Sequence, residues 1–100
     1  LEEAEKCYRK ALEIDENFVM ALINLSSVLI VKELYDEAIK LLEKAKKLAP
    51  TLATIYNNLA VAHYYAGNKK EALENLKKAK EMKYPVNPEF ERMVYEDSKI

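Results

Sequence analysis

Apolar residues recur along this chain at the three- and four-residue spacing that places them on one face of a helix. The pattern continues almost from end to end, and five short turn-like segments interrupt it. It therefore predicts an all-α chain of about six helices. The predicted helices are Leu1–Ile14, Phe18–Lys32, Asp36–Leu48, Leu52–Ala66, Lys69–Met82 and Pro88–Lys99.

The residues at the breaks indicate how individual helices begin and end. Asn17, Thr51 and Asn87 precede the second, fourth and sixth helices, where each side chain could accept a backbone N–H as an N-cap. Gly67 follows the fourth helix, and a residue without Cβ adopts the left-handed conformation there at little cost. Glu33 stands at the equivalent point after the second helix. Since the left-handed conformation would cost Glu33 on the order of 1 kcal/mol, we expect that turn to be built differently.

A pair of alanines recurs at a fixed interval of 34 residues. A period of this length is typical of helical repeat arrays. Within each pair the two alanines lie on one helix face, two turns apart, where they let a neighbouring backbone approach closely. The three pairs are Ala4 with Ala11, Ala38 with Ala45, and Ala72 with Ala79.

With helix pairs and this period, the chain resembles the tetratricopeptide repeat family, whose repeat consists of two antiparallel helices, A and B. The family's large residues at the fourth and seventh places, small residue at the eighth place and closing proline have counterparts here. These counterparts are Leu22, Tyr56 and Phe90; Leu25, Leu59 and Met93; Ser26 and Ala60; and Pro50. Val94 departs from the small eighth place, and Glu16 and Tyr84 replace the proline. The resemblance implies a right-handed superhelix of antiparallel helix pairs.

The resemblance covers essentially the whole chain as a single domain. It divides the chain into helix B of a truncated repeat (1–18), two full repeats (19–52 and 53–86) and a C-terminal capping helix (87–100). The last helix carries Glu89, Glu96 and Asp97 where a following helix B would pack. Charges at these places favour a solvated outer face, so we expect the array to end near Ile100 and to continue before Leu1.

In this family, residues of the A helices line a concave groove that binds peptides or partner helices. The groove implied here is neutral, apolar at its first end and richer in amide and phenol groups further on, which predicts a largely uncharged peptide or helix as ligand. Its residues are Met20, Ile23, Asn24, Ser27, Ile30, Val31, Thr54, Asn57, Asn58, Val61, Tyr64, Tyr65, Glu91, Arg92 and Tyr95. The same apolar residues could instead contact a neighbouring subunit or the superhelix itself.

The first helix suggests a second, structural role. Leu1, Ala4, Tyr8, Ala11 and Leu12 form an N-terminal stripe that should pack on a preceding helix A, which this sequence does not contain. The stripe would then be exposed or covered by another molecule. The alternative function is therefore an oligomerisation segment that forms a homo-oligomer through this helix.

Some members of the family hold a C-terminal carboxylate with a clamp of Lys, Asn, Asn, Lys and Arg. Asn58 and Arg92 occupy two of these places, but Ile23, Ser27 and Pro88 occupy the others. Without the lysines a carboxylate would lose most of its charge-assisted hydrogen bonds. The sequence therefore argues against this type of ligand.

Composition narrows the classes of partner further. Lys and Arg (16) nearly balance Asp and Glu (17), so no excess of positive charge indicates a nucleic acid partner. No apolar stretch is long enough for membrane insertion. The charges on the B helices are interpreted as solvated pairs such as Glu43–Lys47 and Glu74–Lys78.

Residues able to perform chemistry are few. His63 is expected in the core with one hydrogen bond, since no second histidine or neighbouring cysteine completes a metal site. Cys7 has no activating neighbour and is interpreted as a small hydrophobe; as a lone cysteine it does not fix the compartment, for which the cytoplasm is the default. Without a phosphate-binding loop or nucleophile motif, we expect neither an enzyme nor a cofactor.

Overall fold

The computed structural model describes residues 2–98. In this part of the chain it contains six α-helices and no strand. They are α1 (Glu2–Ile14), α2 (Val19–Val31), α3 (Tyr35–Leu48), α4 (Ala53–Tyr65), α5 (Lys69–Glu81) and α6 (Pro88–Asp97). The predicted all-α class and the six helices are confirmed. The helix ends predicted at Leu1 and Lys99, and the end of the array near Ile100, lie outside the described residues.

The chain forms two compact units, Leu1–Thr51 and Leu52–Ile100. In the first unit α2 packs on both α1 and α3. In the second unit α5 packs on both α4 and α6. Each unit therefore contains one A helix packed against its B helix, as the repeat pattern predicts.

The core of the first unit lies between α2 and α3. Leu25, Leu29 and Ala38 form a buried cluster, and Tyr8 and Leu12 of α1 pack against it. Tyr8 and Leu12 are therefore half-buried, since α1 packs them on the core of its own unit, and self-association through the N-terminal stripe stays a prediction. Ala4 and Ala11 are half-buried as well, and Leu1 lies outside the described residues.

Exposed ion pairs orient α1 on this core. Arg9 donates to Glu5 at 2.9 Å and to Glu37 of α3 at 3.0 Å. Lys32, the C-cap residue of α2, donates to Glu5 at 2.7 Å. These hydrogen bonds, Lys32 first and Arg9 second, lower the pKa of Glu5 below its usual value. The pairs fix the direction of α1 more than they stabilise it, since solvent screens exposed charges.

The core of the second unit joins all three of its helices. Ala60 of α4, Leu76 of α5 and Val94 of α6 form its buried cluster. His63 is buried beside it, and its Nδ1 lies 3.1 Å from the Asn68 side-chain amide. The prediction of a packed histidine with one hydrogen bond is confirmed.

The recurring alanines of α3 and α5 are fully buried. Ala38 and Ala45 of α3, and Ala72 and Ala79 of α5, each have an exposed fraction of 0%. A side chain of one methyl group lets the A helix approach the B helix closely at these points. The repeat interval seen in the sequence is therefore the interval between the helix contacts.

Three helices end in the same left-handed turn. Glu33 after α2, Gly67 after α4 and Lys83 after α5 have φ of 64°, 91° and 66°. At the first of these turns the N–H of Leu34 donates to the carbonyl of Leu29, and the N–H of Glu33 donates to that of Ile30. The expectation of a different turn at Glu33 is wrong, because these two backbone bonds satisfy the carbonyls at the helix end and offset the strain.

Two predicted N-caps are also wrong. The N-cap positions of α2 and α4 are Phe18 and Leu52, and neither makes a side-chain cap. Asn17 lies inside a turn in which its own N–H donates to Asp15 Oδ1 at 3.0 Å. Thr51 lies one residue too early to cap α4. The two helices therefore depend on packing for their stability more than on their caps.

The surface charges pair with different partners from those predicted. Glu43 forms its ion pair with Lys46 at 3.1 Å, one residue before the predicted Lys47. Lys78 pairs with Glu81 at 3.4 Å instead of with Glu74. Cys7, interpreted as a small hydrophobe, is exposed.

The strain at Glu33 leads to a stability prediction. Glu33→Gly should raise the free energy of unfolding by about 0.5–1 kcal/mol. A left-handed residue with a Cβ costs about 1–2 kcal/mol, which glycine avoids. The added freedom of glycine in the unfolded chain lowers the stability by about 0.4–1 kcal/mol and so offsets part of this gain. Denaturant unfolding followed by circular dichroism measures the change. Glu33→Ala, which shortens the side chain but keeps the strain, should leave stability nearly unchanged; a destabilised Glu33→Gly variant would contradict the account.

Candidate functional site

A concave cavity of about 420 Å³ lies in the second unit, bordered by α4, the α5–α6 connection and the start of α6. Its lining combines aromatic and aliphatic surface with amide groups and one carboxylate. The lining residues are Asn57, Val61 and Tyr65 from α4, Tyr84 and Pro85 from the connection, and Asn87, Glu89, Phe90 and Met93 from the start of α6.

The α4 side of the cavity follows from helical spacing. Asn57, Val61 and Tyr65 are four residues apart, so they lie along one face of the helix. Other positions of α4, including Ile55 and Leu59, are fully buried in the core. Helix α4 is thus anchored through its core positions and presents a mixed surface to the cavity.

The connection between α5 and α6 forms the second side. The left-handed residue Lys83 reverses the chain after α5, and the N–H of Val86 donates to the carbonyl of Tyr84 at 2.8 Å. Asn87 then caps α6, since its Oδ1 accepts the N–H of Phe90 at 3.1 Å. The N-cap predicted at Asn87 is confirmed. These turns place Tyr84 and the start of α6 beside α4.

Aromatic rings connect the two sides. Tyr64 meets Tyr65 edge to face at a centroid distance of 5.1 Å and meets Phe90 in the same way at 5.6 Å. Its hydroxyl donates to Asp97 Oδ2 at 2.5 Å. Asp97, expected to face a following helix B, thus bonds back to α4. Tyr65 and Phe90, which both line the cavity, are held around one shared ring.

The bond to Asp97 changes the acidity of Tyr64. It raises the pKa of Tyr64 to about 12, and burial and the negative charge of Asp97 act in the same direction. Because the folded state favours the protonated phenol, this contribution to stability is complete below pH about 10. It is lost as the pH rises through the folded-state pKa.

The charged residues of α6 near the cavity are paired within this helix or with α5. Arg92 donates to Glu89 and, at 3.1 Å, to Glu96. The hydrogen bond to Glu96 and the attraction of Glu89 raise the pKa of Arg92 above its usual value. Glu91 accepts from Lys80 of α5 and ties the two helices together. Among residues 2–98, the lining of the cavity therefore holds one carboxylate, Glu89, and no cation.

Residues 2–98 hold neither a metal-binding cluster nor a membrane-spanning helix. This part of the chain has no group of three or more His, Cys, Asp or Glu side chains placed to hold a metal ion. None of its helices combines the length and the apolar character needed to cross a bilayer.

Comparison with known proteins decides the family. A tetratricopeptide repeat model matches residues 17–84, and a second model with the same description matches residues 1–18. The chain belongs to the tetratricopeptide repeat family. Tetratricopeptide repeat domains generally mediate protein–protein interactions and are typically non-enzymatic scaffolds. A search of curated proteins finds no match to the chain.

Within this tetratricopeptide repeat protein, the predicted groove residues of the second unit fall into separate environments. Three of them line the cavity: Asn57, Val61 and Tyr65. Thr54 and Asn58 are half-buried, and Glu91 and Arg92 are engaged in ion pairs. Tyr64 and Tyr95 pack against the core cluster, which leaves less of their surface for a ligand.

The predicted groove residues of the first unit all lie on α2, its A helix. Met20 and Val31 are 52% and 64% exposed, and Ser27 is exposed as well. Asn24 and Ile30 are half-buried. Ile23 is only 4% exposed, so its side chain offers almost no surface to a ligand.

Positions carried over from the family's A helices missed much of the cavity lining. Tyr84 and Pro85 lie in a connection, and Phe90 and Met93 occupy places assigned to helix packing. The visible signal was the segment "YPVNP", whose two prolines restrict the backbone before α6. That segment is the non-helical connection between α5 and α6, and it forms one side of the cavity.

The raised pKa of Tyr64 can be checked by alkaline titration. Tyrosinate absorbance should show that Tyr64 stays largely protonated near pH about 11, because Asp97 holds its proton. Asp97→Asn should return this tyrosine to the ordinary range, whereas Glu96→Gln, the neighbouring carboxylate on α6, should leave it nearly unchanged. Circular dichroism at each pH confirms that the chain is folded. An unchanged titration in Asp97→Asn would contradict the assignment.

Proposed function

We propose that this tetratricopeptide repeat chain is a protein-interaction scaffold that binds a largely uncharged peptide or helix along its A helices. The observation that carries the proposal is the cavity of the second unit. One side of it consists of three residues at groove positions, Asn57, Val61 and Tyr65. In the first unit the A helix exposes Met20 and Val31, which suits a partly apolar ligand.

The charge distribution supports an uncharged ligand. The only charged residue that the described part of the chain contributes to the lining, Glu89, is already paired with Arg92. A ligand carboxylate would find no lysine or arginine among the described lining residues, and Arg92 is held by two carboxylates of its own helix. Both points argue against a partner recognised through its C-terminal carboxylate.

The mixture of groups suits a polypeptide. The Asn57 amide can donate to and accept from a peptide backbone, and its Oδ1 accepts no hydrogen bond from any described residue. Tyr65 is 51% exposed and offers a large, rigid contact surface with a polar tip. This combination of rigid aromatic and adaptable amide groups is common where proteins bind peptide segments.

Panning of a displayed library of short random peptides against the chain tests the proposal. We expect the enriched peptides to carry few charges, and the double variant Asn57→Ala, Tyr65→Ala to weaken their binding at least about tenfold. Lys77→Ala, an exposed position on α5 outside the cavity, is the matched control and should bind as the parent does. Enrichment of acidic or basic peptides, or equal binding by the double variant, would contradict the proposal.

The alternative function, an oligomerisation segment, is favoured by one observation in the first unit. Ile14 at the end of α1 is 81% exposed, and a cavity of about 380 Å³ lies beside α1, lined by Arg9, Leu12, Glu13, Leu25 and Leu41. An apolar surface of this kind suits self-association through the first helix.

Sedimentation over a range of concentrations separates the two functions. If α1 mediates self-association, the chain should be a dimer that Ile14→Ser dissociates, while Leu48→Ser, another exposed apolar position, leaves it intact. The exposed Ile14 is preferred to Tyr8 and Leu12, whose replacement would also damage the core. A monomer at every concentration would exclude the alternative.

A further inference from the structure

The cavity of the second unit has an apolar side suited to one large side chain. Val61 lies on α4, Phe90 and Met93 on α6, and Pro85 in the connection, so apolar surface meets the ligand from three directions. Its volume of about 420 Å³ is within the range of about 300–1,000 Å³ found for small-molecule sites. This space can hold a side chain with part of its backbone.

Two rings of the lining are held in place before any ligand binds. Tyr65 and Phe90 each meet Tyr64 edge to face, and Tyr64 is fixed by its bond to Asp97. A ring that enters the cavity could add further edge or offset contacts without reordering these residues. Preorganised aromatic surface of this kind favours an aromatic ligand group.

The polar atoms of the lining include acceptors that lack donors. Glu89 accepts from Arg92 through Oε1, while its Oε2 accepts no hydrogen bond from the described residues. Asn57 Oδ1 likewise accepts no hydrogen bond from the described residues. Burial under a ligand without a donor would leave these acceptors unpaired at a substantial cost. The ligand group should therefore carry an N–H or O–H.

A cationic side chain fits less well. The carboxylate of Glu89 is already shared with Arg92, so a lysine or arginine of the ligand would compete with that pair. No second carboxylate lines the cavity to balance an added cation. A neutral hydrogen-bond donor therefore suits the lining better than a cation does.

We propose that the cavity receives one tyrosine or tryptophan side chain of the bound protein segment, with its ring against Val61, Phe90 and Met93 and its donor on Glu89 or Asn57. This inference rests on the proposed function and names the residue type that anchors the partner. Phenylalanine would fill the same space without pairing the acceptors.

Blocked amino acids test the anchor without knowledge of the partner. N-acetylated amides of Trp, Tyr, Phe and Lys are titrated into the isotope-labelled chain and followed by amide chemical shifts. The Trp and Tyr amides should produce saturable shifts in the resonances of Asn57, Val61 and Met93. They should bind about tenfold more tightly than the Lys amide, a ratio expected for one buried side chain.

Two variants and a control sharpen the result. Val61→Trp should fill the cavity and abolish the shifts. Glu89→Gln keeps the shape but alters the acceptor, so it should reduce the preference for Tyr over Phe; this readout does not depend on the folding of Val61→Trp. Glu74 is an exposed carboxylate of α5 outside the cavity, so Glu74→Gln should change neither the shifts nor the preference for Tyr over Phe.

Several outcomes would overturn the inference. These are a Lys amide that binds as tightly as the aromatic amides, shifts confined to residues outside the cavity, or no saturable binding of any aromatic amide. If panned peptides bind and lose affinity on replacement of Asn57 and Tyr65, but aromatic amides do not bind, the anchor is wrong and the proposed function stands. If no peptide is enriched, the proposed function itself fails.

Discussion

The close contact between A and B helices is the constraint on which the rest of this structure depends. Ala38 and Ala45 in α3, and Ala72 and Ala79 in α5, are fully buried, so only a methyl group fills each of these packed positions. Larger residues at such contacts cost about 1–3 kcal/mol through overpacking. Because α4 is buried through other positions such as Ile55 and Leu59, it can present Asn57, Val61 and Tyr65 elsewhere on its surface.

The second side of the candidate site depends on a different set of interactions. Helix α6 is positioned by buried Val94, by the ion pair between Glu91 and Lys80, and by the hydrogen bond from Tyr64 to Asp97. These contacts bring Phe90 beside α4, and the cavity lies between α4 and the start of α6. The repeat contact therefore builds one side, and contacts specific to this chain build the other.

The sequence could predict whatever follows from period and spacing. Six helices, the buried alanines and the cavity positions of Asn57, Val61 and Tyr65 follow from regular spacing and from the family's pattern. The remaining lining could not be predicted in the same way. Tyr84 and Pro85 reach the cavity only because the α5–α6 connection turns twice, and those turns follow from hydrogen bonds between residues outside any periodic pattern.

Two local preferences failed where hydrogen bonds outweighed them. Glu33 adopts a left-handed conformation that its Cβ disfavours, since two backbone bonds close the end of α2. Asp97 was expected on a solvated outer face. It instead accepts a hydrogen bond from the hydroxyl of Tyr64, which lies 33 positions earlier in the chain. The partner of Asp97 cannot be predicted from nearby residues alone, because only the packed helices bring Tyr64 close to it.

The central claim is that the cavity between α4 and α6 is where the protein binds its partner segment. The most direct measurement is a co-crystal structure of the chain with a peptide selected by panning. We expect an uncharged segment along α4, with one aromatic side chain between Val61 and Phe90 and its backbone near Asn57. A peptide bound elsewhere on the chain, with this cavity unoccupied, would contradict the account.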